Sequence, residues 1–174
     1  KRNQEILFNG VDRISAKGGY TNLHAALLAG HKMLMKVSEP GRRRVLVLMS
    51  DGRMDVGDPA RDRRFIQDIK GSLGDSLKKD GVEVFSIAFT QQADSELMRA
   101  IAEKTEGVFH SAEGVDDLHT VFGSIFDNVK QPDMLPMTGG VFVVDSAVQE
   151  VTIVASRKSL GHKVVLELPD GKTI

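Results

Sequence analysis

Apolar positions along the first 130 residues recur at two spacings, and the alternation between them predicts the fold. Ile6, Leu7, Val11 and Ile14 lie near helical spacing, and Ala16-Lys17-Gly18-Gly19 breaks that run. Leu23, Ala26, Leu27, Gly30, Met33 and Leu34 form one apolar stripe, predicting a helix to about Lys36 that ends near Pro40. Thr21 or Asn22 caps it, because each offers a side-chain oxygen to free backbone N–H groups. Val45 to Met49 is too short for a helix and rich in Val and Leu, so it reads as a strand buried on both faces. A helical stretch over 60–79 turns Phe65, Ile66, Ile69, Leu73 and Leu77 inward. Gly71 and Gly74 each weaken it by about 1 kcal/mol relative to Ala, so a break is expected there. Val82 to Phe89 is a second buried strand, and a helix opening at Asp94 or Ser95 turns Leu97, Ile101 and Ala102 inward. Val108 to His110 is a short strand. Val115, Leu118, Val121, Phe122, Ile125, Phe126 and Val129 then define the clearest amphipathic helix in the chain.

Strands alternating with helices predict an α/β fold: a Rossmann-like, mostly parallel sheet with helices on both faces. From Gln131 the pattern changes. Two prolines and Gly139-Gly140 read as a linker over 131–140. Beyond it, Val141–Val144, Val148–Ala155 and Lys163–Leu168 read as strands, with Pro169-Asp170-Gly171-Lys172 as a turn. Three strands in about 35 residues cannot close a sandwich, so 141–174 reads as a partial all-β, immunoglobulin-like segment, the start of a β-sandwich domain.

Composition removes several classes of function. The formal net charge is −1, which gives no strong field for nucleic acid. The basic run Arg42-Arg43-Arg44 reads as the solvated end of a helix–strand connection. The absence of cysteine excludes disulfides, thiol catalysis and zinc–thiolate sites. No apolar run approaches the roughly 18 residues that span a bilayer, so no membrane insertion by this segment is expected. Gly-x-Ser-x-Gly, Gly-x-x-x-x-Gly-Lys and His-Glu-x-x-His are all missing. His24 and His31 lie seven apart on one predicted helix and read as structural. A non-catalytic chain is expected.

The candidate chemistry is at Asp51 and Thr21. Asp51 ends a buried strand and precedes Gly52, and ligands of open α/β sheets bind outside the carboxyl ends of the strands. Thr21 follows a glycine turn at the head of a helix. A carboxylate and a hydroxyl are hard oxygen donors suited to Mg2+, Ca2+ or Mn2+. The plainer alternatives are a common Asp-Gly turn and a helix-capping threonine. Asp55 and Asp58 do not match a calcium loop and read as solvated.

GGYTNLHAALLAG followed by RRRVLVLMSDG resembles the second half of a von Willebrand factor A domain. GVEVFSIAF with the sequence through Ile125 resembles the closing third of that family. The resemblance implies a metal-ion-dependent adhesion site built from three pieces: an Asp-x-Ser-x-Ser, a Thr in a Gly-rich loop, and an Asp before Gly. It assigns Thr21 to the second piece and Asp51 to the third. The first piece occurs nowhere in the chain. The expectation is therefore an N-terminally truncated von Willebrand A-like domain over 1–130. The resemblance also implies Mg2+ (or Ca2+ or Mn2+) as cofactor and a protein ligand with an exposed acidic residue as partner. Gly19, Tyr20, Asn22 and Arg53 would then be partner-binding positions, in an extracellular, cell-surface or periplasmic setting. FVVDSAVQEVTIVAS with VVLELPDGK resembles the module after the A domain in calcium-activated chloride channel regulators and related bacterial surface proteins. A scaffold subunit without metal and a hydrolase on a similar sheet are the alternatives.

Overall fold

The computed structural model describes residues 2–15, 18–37, 39, 41–130, 135–153 and 163–174. The chain divides into two compact units, 1–111 and 112–174. In chain order the elements are α1 (Arg2–Val11), α2 (Leu23–Lys36), β1 (Arg44–Ser50), α3 (Pro59–Asp68), α4 (Gly74–Lys79), β2 (Val82–Phe89), α5 (Ser95–Lys104), β3 (Phe109–Ala112), α6 (Val115–Lys130), β4 (Met137–Thr138) and β5 (Val141–Phe142).

The sheet has the order β1-β2-β3. β1 runs parallel to β2 in a register from Arg44↔Val82 to Ser50↔Ala88. β2 is the middle strand. Val84, Phe85, Ser86, Ile87 and Ala88 are fully buried, so both of its faces are covered. Leu27 of α2, Ile69, Leu77 of α4, and Met98 and Ile101 of α5 pack into the same core.

β1 departs from its expected burial. Leu46 and Leu48 are buried, but Val47 is 42% exposed and Met49 50% exposed. Among the described residues β1 lies at the sheet edge, with a neighbour on one side only. An apolar run fixes the strand, but the neighbouring elements decide how many of its faces are covered.

Two contacts fasten α5 to β2. Ser86 Oγ donates to the Met98 carbonyl at 2.8 Å. Thr105 Oγ1 accepts from Val84 N at 3.0 Å and donates to the Ile101 carbonyl at 2.8 Å. These bonds satisfy polar groups that would otherwise be costly inside the core. Gly107 then passes so close to β2 that a Cβ there would stand 2.1 Å from the Val84 carbonyl oxygen.

The expected break between 60 and 79 occurs at Gly71, whose φ of −106° and ψ of −115° are not helical. Ile69–Leu73 forms a wide turn between α3 and α4. Together these three segments make one kinked helical arm.

In the second unit, α6 buries Val121 and Ile125. Gly139 and Gly140 both take positive φ, 61° and 81°, and turn β4 back onto β5 as an antiparallel pair. Successive positive φ values suit a two-residue hairpin, a conformation glycine reaches without strain. Strand structure after β5 is sparser than the alternating pattern predicts. Residues 143–153 form no strand, and Ala155 lies outside the described residues. The run 163–168 holds one bridge, Glu167↔Thr173, across the turn at Asp170-Gly171. Val143, Val164 and Val165 are exposed. An alternating run becomes a stable strand only where another element covers its apolar side.

Candidate metal centre

Asp51 follows directly on β1, at its carboxyl end, and is exposed. The turn after it is tightened by Ser50, whose Oγ donates to the Gly52 carbonyl at 3.0 Å. The Asp51 carbonyl accepts from Thr90 Oγ1 at 3.0 Å. Thr90 follows β2 and takes φ 97°, a left-handed conformation that is strained for a β-branched residue. The bond to Asp51 thus ties the ends of two neighbouring strands together at this point. Among the described residues the Asp51 carboxylate has no hydrogen-bond partner.

The Gly-rich loop 18–22 docks onto the loop that follows Asp51. Thr21 N donates to the Asp55 carbonyl at 2.9 Å, and Asp55 N returns a bond to the Thr21 carbonyl at 2.9 Å. Thr21 Oγ1 rests on Gly52, 2.9 Å from where a Cβ would stand. The Tyr20 ring rests on Gly57, with ring atoms 2.8 to 2.9 Å from its Cβ position, and Gly57 itself takes φ 76°. Both contacts need the missing side chain. The side-chain hydroxyl assigned to the second motif is thereby set against the residue next to Asp51.

The capping alternative resolves in favour of Asn22. Its Oδ1 accepts from Ala25 N at 2.9 Å and so caps α2. The Thr21 hydroxyl makes no hydrogen bond among the described residues and keeps its lone pairs. The nearby carboxylates are committed to backbone instead. Asp55 Oδ1 accepts from Gly57 N at 2.7 Å, and Asp62 Oδ1 accepts from Val56 N at 2.8 Å. Asp58 caps α3 through Ala60 N and Arg61 N, and these two donors hold its carboxyl below the usual carboxylate range.

The donor set fits two positions of a hard-cation site: one free carboxylate and one free hydroxyl, on loops held together by backbone bonds. No three His, Cys, Asp or Glu side chains gather into a metal-holding group among the described residues. Gly19, Tyr20 and Arg53 are exposed around these two donors.

Residues 1–124 match the family model of the von Willebrand factor type A domain. The chain belongs to that family. The fold is also similar to that of proximal thread matrix protein 1 from the mussel byssus, at TM-score 0.53 and 20% identity over 71% of this chain and 30% of the other. A second structure of that mussel protein, described as having a zinc-occupied MIDAS motif, gives TM-score 0.52 at the same identity and coverage. The chain spans less than a third of the mussel protein's length. No helix among the described residues of this von Willebrand A domain is long and apolar enough to cross a membrane.

Two features of the domain escaped the sequence reading. One is Thr90, although its place at the end of a buried strand is the same signal that singled out Asp51. The other is the partnership of the α2 histidines. His24 Nε2 lies 2.6 Å from Asp68 Oδ2, and its ring stacks on Phe65 with centroids 4.4 Å apart. His31 Nε2 lies 2.8 Å from Asp80 Oδ2. Ser72 donates to the other Asp68 oxygen, and this bond, followed by that from His24, holds the Asp68 carboxyl below its ordinary value. Both pairs fasten α2 to the kinked arm.

Proposed function

We propose that this von Willebrand A domain is a non-catalytic, metal-dependent protein-binding module. Thr21 and Asp51 supply two of the oxygen ligands to Mg2+ (or Ca2+ or Mn2+). An acidic side chain of a partner protein occupies an open position on the ion. The observation that supports this reading is the unbonded Thr21 hydroxyl seated on Gly52, the residue that follows Asp51, whose own carboxylate is unbonded among the described residues. When bound, the ion supplies net positive charge that few protein carboxylates neutralise, which favours a carboxylate from outside. Gly19, Tyr20, Asn22 and Arg53 surround the opening as partner-binding positions. Asn22 acts by holding α2, and Arg53 by offering a fork of donors to an acidic group. The remaining donors belong to an Asp-x-Ser-x-Ser motif, which these 174 residues do not contain. Residues 1–130 make up the A domain, 131–140 a linker and 141–174 the start of a β-sandwich module. The setting is extracellular, cell-surface or periplasmic, in keeping with the byssal origin of the similar mussel protein.

Calorimetric titration of Mg2+ and Mn2+ into the full-length protein tests this reading. Binding is expected in the wild type and lost in Asp51→Ala, with Thr21→Ala weakened. Equal binding by all three places the ion elsewhere. No binding by the wild type favours the scaffold subunit without metal.

A further inference from the structure

A strained residue stands where the ends of β1 and β2 meet. The β1–β2 register stops at Ser50↔Ala88, and beyond it Thr90 Oγ1 donates to the Asp51 carbonyl at 3.0 Å. Thr90 Oγ1 also accepts from Gln92 N at 3.2 Å, which leaves the hydroxyl hydrogen for Asp51. Gly52 N belongs to the same peptide unit as the Asp51 carbonyl and donates to Ser50 Oγ at 3.3 Å. Both polar ends of the Asp51–Gly52 peptide are thus taken by hydroxyls, Thr90 at one and Ser50 at the other. A peptide unit is planar, so bonds at both ends fix its rotation and with it the ψ of Asp51. The same unit leads into Gly52, on which Thr21 Oγ1 rests. The setting of this one peptide therefore bears on both candidate ligands.

Among the described residues, two that are not glycine take positive φ, Thr90 at 97° and Glu106 at 62°. Glu106 lies just past the end of α5, where a left-handed residue is a common way to close a helix. Thr90 follows a strand instead, and its branched Cβ makes the conformation costly. Glycine would take this φ without strain but carries no hydroxyl. Strain of this kind persists where the surrounding structure holds it, and it gathers at ligand sites.

We propose that Thr90 is a positioning residue for the metal centre: its hydroxyl sets the Asp51–Gly52 peptide so that the Asp51 carboxylate and the Thr21 hydroxyl serve one ion. The strained φ is the cost of placing a hydroxyl at this point of the chain. This inference rests on the metal-dependent reading and adds to it a residue that acts through the backbone of Asp51.

Three variants of the full-length protein separate the hydroxyl from the backbone. Thr90→Ser keeps the hydroxyl, Thr90→Val keeps the branched Cβ without it, and Thr90→Gly removes both. In calorimetric titration with Mn2+, Thr90→Ser should bind within about twofold of wild type, and Thr90→Val and Thr90→Gly about tenfold more weakly, one hydrogen bond's worth. Urea unfolding in EDTA should separate the last two. Thr90→Gly should unfold at higher urea than Thr90→Val, because the glycine alone is free of the strained φ. Affinity that follows the unfolding midpoint, a Thr90→Val variant that binds as wild type does, or a Thr90→Ser variant that weakens as Thr90→Val does, overturns the positioning role. Amide exchange at Gly52 in EDTA reads the same hold without metal. It should quicken in Thr90→Val and Thr90→Gly and stay at the wild-type rate in Thr90→Ser. Equal exchange in all four proteins overturns the proposal whether or not the domain binds metal. Failure of the metal reading has its own signature: wild type takes up no Mn2+ while the Gly52 difference persists, which removes the ion and keeps the hold of Thr90 on the peptide.

Discussion

β2 and the run from Val141 to Leu168 are built from the same kind of residues, yet they end differently. Val82–Phe89 is buried on both faces, between β1 and β3 and under α4 and α5. The later run is equally rich in valine, but its described residues form a two-residue strand and one bridge, and most of their apolar side chains are exposed. Strand propensity is therefore permissive. What turns it into structure is a second element supplying apolar area and a partner for each N–H and C=O.

The strongest way to break this contrast is to remove a side chain from each run. Phe85→Ala should cost about 3–5 kcal/mol in urea unfolding, because a fully buried ring leaves a cavity. Val143→Ala, at a position 79% exposed, should stay within about 0.5 kcal/mol. Similar costs at the two sites would mean that the later run is packed after all. A smaller loss is expected for Gly107→Ala, about 2–3 kcal/mol, since the new Cβ presses on the Val84 backbone rather than on a side chain that can turn away. Its thermal melting should fall with it, and an unchanged melt would refute the close approach. Thr105→Val should cost about 1–3 kcal/mol by leaving Val84 N–H without an acceptor in the core. Amide exchange should quicken at Val84 first.

The smallest effect concerns acid stability of the first unit. The Asp68 carboxyl is held low by Ser72 and then His24, so it favours the folded state above its unfolded pKa of about 3.9. That contribution disappears as pH falls through the lower folded value. Side-chain exposure of 36% screens it, so a loss of under about 1 kcal/mol is expected. Asp68→Asn should flatten the acid limb of the stability curve by that amount, whereas an unaltered limb would show that the pair contributes nothing.

Most of the α/β body was legible because its signals are local. The strand at 82–89, the helix from Ser95, the arm with its break at glycine and the amphipathic helix from Val115 each follow from spacing over a few residues. The covering of β1 was not legible, because it depends on which strand lies beside it. The partners of His24 and His31 lie 44 and 49 residues away, and no periodicity joins them. At the candidate site the donors Thr21 and Asp51 could be singled out by residue type. The way Gly52 and Gly57 receive Thr21 and Tyr20 could not, since it is set by backbone that meets only after folding.

The kink at Gly71 can be read as the joint between two rulers of unequal graduation. On α2 the two histidines are seven residues apart, or about 10.5 Å along a helix. Their carboxylates, Asp68 and Asp80, are twelve residues apart, which would span about 18 Å if the arm were one straight helix. The arm is not one straight helix: its backbone leaves helical φ and ψ at Gly71, between the two carboxylates, and both pairs form. Straightening the arm would force α2 to give up one of its two anchors. α2, with Thr21 just before its first turn, is thus held at two points on either side of a bend in the arm.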